Sequence, residues 1–193
     1  PGPSGLVYVS DHSTCRVQVL TKEGQYVRTI GVTRQPGSGN HQLTSPYGVC
    51  VEPGPSGLVY VSDYDNHRVQ VLTKEGQYVR TLGVTNQQDS GNHQFSNPGG
   101  VCVEPGLDGL LYVADRFNHR VQVLTKEGEY VRTIGVTGQA GEGNHQLCEP
   151  YGLGVDPAPG GHVYVADTEH HRVQVLTKGG AYVRTIGQHG AGN

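Results

Sequence analysis

The sequence contains no tryptophan, no methionine and only two phenylalanines in 193 residues. Hydrophobic residues make up 34% of it, too few for an extensive helical core. No apolar run approaches the ~20 residues of a membrane-spanning helix, and no secretory leader is visible. Neither charge sign dominates: 14 Lys and Arg face 17 Asp and Glu, for a net charge of −3, so nothing global points to a polyanion. There are four cysteines but no C-x-x-C pair, which argues against a disulfide framework. Scattered thiols of this kind suggest a reducing, cytoplasmic setting.

Glycine and proline are abundant, at 30 and 11 residues, and they are spaced regularly. Tyr8, Tyr60, Tyr112 and Tyr164 recur every 52 residues in V-Y-V or L-Y-V runs. Arg16, Arg68, Arg120 and Arg172 each open the run R-V-Q-V-L-T-K. A period near 50 means a modular architecture. Residues 41–92 illustrate one module. Val49-Cys50-Val51 reads as a short strand and Glu52 to Gly57 as a turn rich in Gly and Pro. Leu58 to Val61 form a second strand and Ser62 to His67 a turn rich in Asp and Asn. Arg68 to Leu72 alternate polar and apolar, the period-two signature of a strand. Thr73-Lys74-Glu75-Gly76 is a hairpin turn, and Gln77 to Leu82 a fourth strand.

Four short antiparallel strands per repeat of this length form the blade of a β-propeller. A β-solenoid is the second reading, but its strands pair between repeats and are not joined by hairpin-length turns. The motifs resemble the NHL-repeat family. They are Pro98-Gly99-Gly100-Val101, Tyr112-Val113-Ala114-Asp115, Asn118-His119-Arg120-Val121-Gln122-Val123 and Tyr130 to Gly135. The resemblance spans essentially the whole chain. It departs where Thr14-Cys15 and His170-His171 replace Asn-His. It implies an all-β propeller of NHL type that binds proteins or RNA, often behind the tripartite-motif modules of ubiquitin ligases.

The second strand recurs four times, whereas the inner Pro-x-Gly-Val-type strand recurs three times, from Pro46, Pro98 and Pro150. The expected blades are 1–40, which lacks its inner strand, 41–92, 93–144 and 145–193. Three arrangements follow: an excerpt of a larger propeller, half of an eight-bladed dimer, or a four-bladed ring with one thin blade. Of the three the excerpt is favoured, and self-association to complete the ring is a partner interaction that open blade faces and edges would allow.

Residues 1–52 and 53–104 agree at 40 of 52 positions. Eleven of the twelve differences fall in the second turn or between the linker and the inner strand, which share one end of the blades. Binding is expected on this variable loop face. The candidate residues are His12, Arg34, Tyr47, Tyr64, Asp65, Arg116, Phe117, Tyr151, Thr168, Glu169 and His170. Exposed Tyr, Arg and Phe are the residue types of protein-binding hot spots. Phe117 beside Arg116 could equally stack on a nucleobase. Tyr47, Gly99 and Tyr151 should surround the mouth of the central channel.

The Asp63/Asn66/His67/Arg68 constellation recurs in nearly every blade, so it reads as turn chemistry. Asn is the expected left-handed residue in it. His41, His93 and His145 lie one per blade, so convergence on a metal is not expected. Twelve of the 14 Lys and Arg sit in the repeated Arg16, Lys22 and Arg28 series. The Lys22 series lies beside glutamates, and the Arg28 series is expected to guard the outermost strand against edge pairing. The sequence therefore predicts a non-enzymatic scaffold without cofactor or metal that binds a protein or peptide. RNA is the alternative partner, and a lyase or hydrolase propeller is a distant third.

Overall fold

The computed structural model describes residues 5–187. Fifteen strands form four antiparallel meander sheets. The first contains β1 (Val7–Asp11), β2 (Arg16–Leu20) and β3 (Tyr26–Gly31). The second contains β4 (Pro46–Val51), β5 (Val59–Asp63), β6 (Arg68–Leu72) and β7 (Tyr78–Gly83). The third contains β8 (Pro98–Val103), β9 (Leu111–Asp115), β10 (Arg120–Leu124) and β11 (Tyr130–Gly135). The fourth contains β12 (Pro150–Val155), β13 (His162–Asp167), β14 (Arg172–Thr177) and β15 (Tyr182–Ile186). All pairing is between neighbours within a repeat, as in propeller blades and not as in a solenoid. The first blade has three strands, and the four sheets do not close into a ring among the described residues.

Period-two patterning builds the core. The side chains of Val17 and Val19 alternate onto one face of β2, and together with Ile30 they pack against Val59 and Val61 of the next sheet. Val69 and Val71 do the same toward Val113, and Val121 and Val123 toward Val165. Each fully buried Val or Leu contributes roughly 1.5–3 kcal/mol. The opposite face of these strands carries Arg68 and Gln70, also buried, so both faces of the internal blades are covered. The hairpin after the third strand needs a positive φ, and Gly76 supplies it at +89°.

Neighbouring inner strands approach backbone to backbone. A Cβ on Gly48 would lie 2.6 Å from the Gly99 carbonyl oxygen, and one on Gly100 would lie 2.6 Å from that of Tyr151. Glycine at these two positions sets how tightly β4, β8 and β12 converge.

The second turn is a single 3-10 turn in each blade, for example Tyr64–Asn66. The left-handed residue is the histidine after it, not the asparagine: His67 has φ 54° and His119 φ 54°. Asn66 instead donates from Nδ2 to Asp63 Oδ2 at 2.8 Å, which leaves His67 to end the turn. The Arg28 series also differs from expectation. Arg28, Arg80 and Arg132 donate to the backbone carbonyls of Lys74, Lys126 and Lys178 in the following blade, so they clasp adjacent blades. Lys126 and Lys178 pair with Glu52 and Glu104 of the preceding blade at 3.0 and 2.7 Å, not with the hairpin glutamates.

Candidate functional site

The 3-10 turns and the starts of the inner strands share one end of the blades, and there the chain gathers an aromatic cluster around one arginine. Tyr47, the second residue of β4, stands between three rings. Its centroid lies 4.6 Å from His12, 4.8 Å from Tyr64 and 5.2 Å from Tyr151. Tyr64 in turn meets Phe117 edge-on at 6.5 Å. The Tyr47–Tyr151 contact spans the third blade. It exists because β8 carries Gly99 there: a Cβ at that position would lie 3.3 Å from the Tyr151 ring. Edge-to-face geometry of this kind stabilises by about 0.5–1.5 kcal/mol per pair beyond burial.

Arg116 sits among these rings. Its guanidinium carbon is 4.8 Å from the Phe117 centroid, 5.5 Å from Tyr151 and 5.9 Å from Tyr64. Nη1 donates to the Tyr64 hydroxyl at 2.8 Å, and Nε and Nη2 donate to Glu149 Oε2 at 3.1 and 2.7 Å. Glu149 has φ 49°, a left-handed conformation unusual for a residue with a long side chain. Its N–H donates to His119 Nδ1 at 3.2 Å, which fixes the backbone there. The left-handed histidine of one blade thus positions the carboxylate that orients the arginine.

The electrostatics follow from partial burial. Burial pushes the Tyr151 phenol up, aided by neighbouring Tyr47 and Tyr64 against Arg116. The Tyr64 phenol also rises through burial, despite Arg116. Burial works to lower Arg116, but Glu149 and Tyr64 carry it above its ordinary value, so its charge is permanent. Phe117 remains 39% exposed. The site is therefore a half-buried patch of rings around a fixed cation, with Phe117 as its exposed ring.

Six of the predicted residues converge: His12, Tyr47, Tyr64, Arg116, Phe117 and Tyr151. The others have different partners. Asp65 accepts from Ser45 Oγ at 2.5 Å. Exposed Arg34 donates its N–H to Thr14 O at 2.8 Å. His170 Nδ1 lies 3.0 Å from Asp167 Oδ2, filling the slot that Asn occupies elsewhere, and Thr168 and Glu169 are exposed beside it. Glu149 was not anticipated. Its signal was the column Ser45, Asn97, Glu149, in which one repeat alone carries an acid.

The Asp63 constellation is structural. Asp63 Oδ1 accepts from Thr44 N–H at 2.5 Å and Oδ2 from Arg68 Nε at 2.8 Å. Burial pushes its carboxyl up against these bonds. Among the described residues no group of three His, Cys, Asp or Glu side chains could hold a metal ion. Among them, too, no helix is long and apolar enough to cross a membrane.

A profile of the NHL repeat matches residues 43–72, 95–124 and 147–176. The chain is 36% identical to rat peptidylglycine alpha-amidating monooxygenase across 67% of its own length and 14% of that protein's. It is 31% identical to human NHL repeat-containing protein 2 across 69% of its length and 21% of the other's. The chain thus spans a small part of the curated relatives it matches. Among solved structures, a chain of the nidogen/laminin complex aligns with TM-score 0.69 at 17% identity, over 96% of this chain and 60% of that one. Virginiamycin B lyase from Staphylococcus aureus aligns with TM-score 0.60 at 14% identity, over 96% and 53%. These relatives correct one expectation. The chain cannot be set apart from enzymes, because a monooxygenase is among its sequence relatives and a lyase shares its fold. The physical reason is that a recurring Asp–His turn excludes only itself as a catalytic site and leaves the rest of the scaffold open to chemistry.

Proposed function

The chain belongs to the NHL-repeat family, and from that premise we propose that it is a recognition scaffold that binds a protein or peptide at the Arg116 aromatic cluster. The observation that carries this reading is the convergence of variable residues from three blades on one arginine, with His12 of the first blade joined to the cluster through Tyr47 and Phe117 left exposed. Tyr, Phe and Arg in a preorganised, half-buried patch are what a partner's side chains bind most strongly. The fold's occurrence in a nidogen/laminin complex supports a protein partner. RNA recognition would need a wider basic surface, whereas Glu149 neutralises Arg116 and Arg28, Arg80, Arg132, Lys126 and Lys178 are spent on inter-blade bonds. Four free cysteines favour a reducing compartment, the cytoplasm.

The test is capture from lysate with the wild-type chain and with a Tyr64/Arg116/Phe117 triple alanine variant, each with and without RNase. The reading expects protein capture that survives RNase and is lost in the triple variant while its thermal unfolding stays cooperative. Capture that RNase abolishes would favour RNA. Capture unchanged in the folded triple variant would move the site elsewhere.

A further inference from the structure

The Gly-Asn-His-Gln stretch recurs in each linker and has no part in the Arg116 cluster. Two of its copies line cavities in the seams between blades. The cavity between the first and second blades is about 240 Å³, and that between the third and fourth about 160 Å³. Both are far larger than the ~10–15 Å³ that holds one water. They are one site built twice. Ile30, Leu43 and Leu72 supply the apolar wall of the first, and Ile134, Leu147 and Leu176 that of the second. The exposed His41 and His145 stand at their rims. In the middle seam Phe95 takes the place of the leucine and is 0% exposed. A Cβ on Gly83 would lie 2.8 Å from its ring, against 3.3 Å from Gly31 to Leu43 and 3.2 Å from Gly135 to Leu147.

The chemistry of the seam between the third and fourth blades defines its ligand. Gln174 lines the cavity and is 1% exposed. Its Nε2 donates to Gln146 O at 2.7 Å, but its Oε1 has no partner among the described residues. A buried carbonyl oxygen left in this state calls for a donor. Gln122 Oε1 is also unpartnered, but its seam is the one that holds Phe95. No Asp, Glu, Lys or Arg lines the Gln174 cavity, so a charged ligand would find no counter-charge there. Thr133, Ile134 and Gly135 of its wall belong to β11, which pairs only with β10 among the described residues. The free edge of such a strand offers N–H and C=O groups to an extended chain.

We propose that this seam is a second binding site, separate from the Arg116 cluster, for a neutral extended peptide segment. The segment lies along the free edge of β11, inserts one aliphatic side chain against Ile134, Leu147 and Leu176, and donates a backbone N–H to Gln174 Oε1. The seam between the first and second blades takes the same ligand along β3 more weakly, because the Gln70 amide is already paired with Thr81 Oγ1 at 3.1 Å.

The experiment titrates the isotope-labelled 193-residue chain with acetyl-Ala-Leu-Ala N-methylamide and follows backbone amide shifts by NMR. Saturable shifts are expected at residues 133–136 and 144–147, with weaker binding at 29–32 and 40–43. Leu147→Phe copies the side chain that Phe95 places in the middle seam. It should abolish the shifts at 133–147 and leave those at 29–43, so the untouched seam reports that the variant folds. The same peptide N-methylated at its leucine tests the Gln174 contact without any substitution in the protein, and should bind the seam between the third and fourth blades about fivefold more weakly. Three results would each overturn the proposal: no saturable shift at residues 133–147, which leaves water as the occupant of the cavity; shifts there that persist in folded Leu147→Phe; or equal affinity for the N-methylated peptide.

Discussion

Replacing Arg68 with methionine tests how the blades are locked together, and the chain supplies its own control. The Arg68 and Asp63 side chains are 1% and 0% exposed, and Nε lies 2.8 Å from Asp63 Oδ2. The same guanidinium donates to the carbonyls of Ser38, Gly39 and Gln42 at 2.7, 3.1 and 3.1 Å, which ties the linker of one blade to the sheet of the next. Methionine keeps much of the volume but leaves a buried carboxylate without its cation and three carbonyls without a donor. Breaking a buried pair from one side costs about 3–5 kcal/mol. Arg16 makes the same bond to Asp11 at 3.0 Å, but there the side chains are 24% and 25% exposed. The identical substitution at Arg16 should cost about 0–1 kcal/mol. With a urea slope of about 2 kcal/mol per molar, the unfolding midpoint should fall by roughly 1.5–2.5 M for Arg68→Met and by less than ~0.5 M for Arg16→Met. The sign with pH follows from Asp63, whose carboxyl burial already raises. A raised folded value favours the protonated form, so its contribution is lost as pH rises, and the Arg68→Met deficit should shrink near pH 4 relative to pH 7. Equal midpoint losses for the two variants, at constant slope, would refute the argument that burial sets the strength of this clasp.

Three further outcomes follow from the same geometry. Gly100→Ala places a Cβ 2.6 Å from the Tyr151 carbonyl oxygen and should destabilise by about 1–3 kcal/mol in urea unfolding. His67 is held below its ordinary value by burial, against Asp65 and Asp115, and its Nδ1 accepts from Asn97 N–H at 3.1 Å. A depressed value means stability that is full above the unfolded pKa of about 6.5 and lost as pH falls toward the folded one. The melting temperature should therefore drop between pH 7.5 and 5.5, and His67→Asn, which tolerates the left-handed backbone, should flatten that drop. Glu149→Gln removes a pair whose side chains are each 25% exposed, so stability should change by less than ~1 kcal/mol while affinity for the captured partner falls about tenfold, measured by calorimetry.

The strands were legible because their signals are local. R-V-Q-V-L alternates, T-K-E-G turns, and the 52-residue period repeats both. Within the candidate site, the aromatic residues were legible as differences between near-identical repeats. What sequence could not show was which blade answers which. Arg28 looks like an edge guard in sequence because its acceptor, the Lys74 carbonyl, is 46 residues away and in another sheet. Glu149 escaped because its role depends on a left-handed backbone held by His119 and on an arginine 33 residues earlier. The left-handed position lies one residue beyond where local preference puts it, at His67 and not Asn66. Asn66 could have taken it by intrinsic preference, but its amide is committed to Asp63 and to the Gly37 carbonyl of the linker, so tertiary bonds override local propensity.

The central claim is that partners meet this propeller at the Arg116 cluster. Its most direct test is a photo-crosslinking side chain placed at Phe117, compared with one at Glu127 in a hairpin turn at the opposite end of the blades. The account predicts a discrete, RNase-resistant protein adduct from position 117 and none from position 127. Adducts from position 127 alone, with position 117 silent in a folded chain, would contradict it.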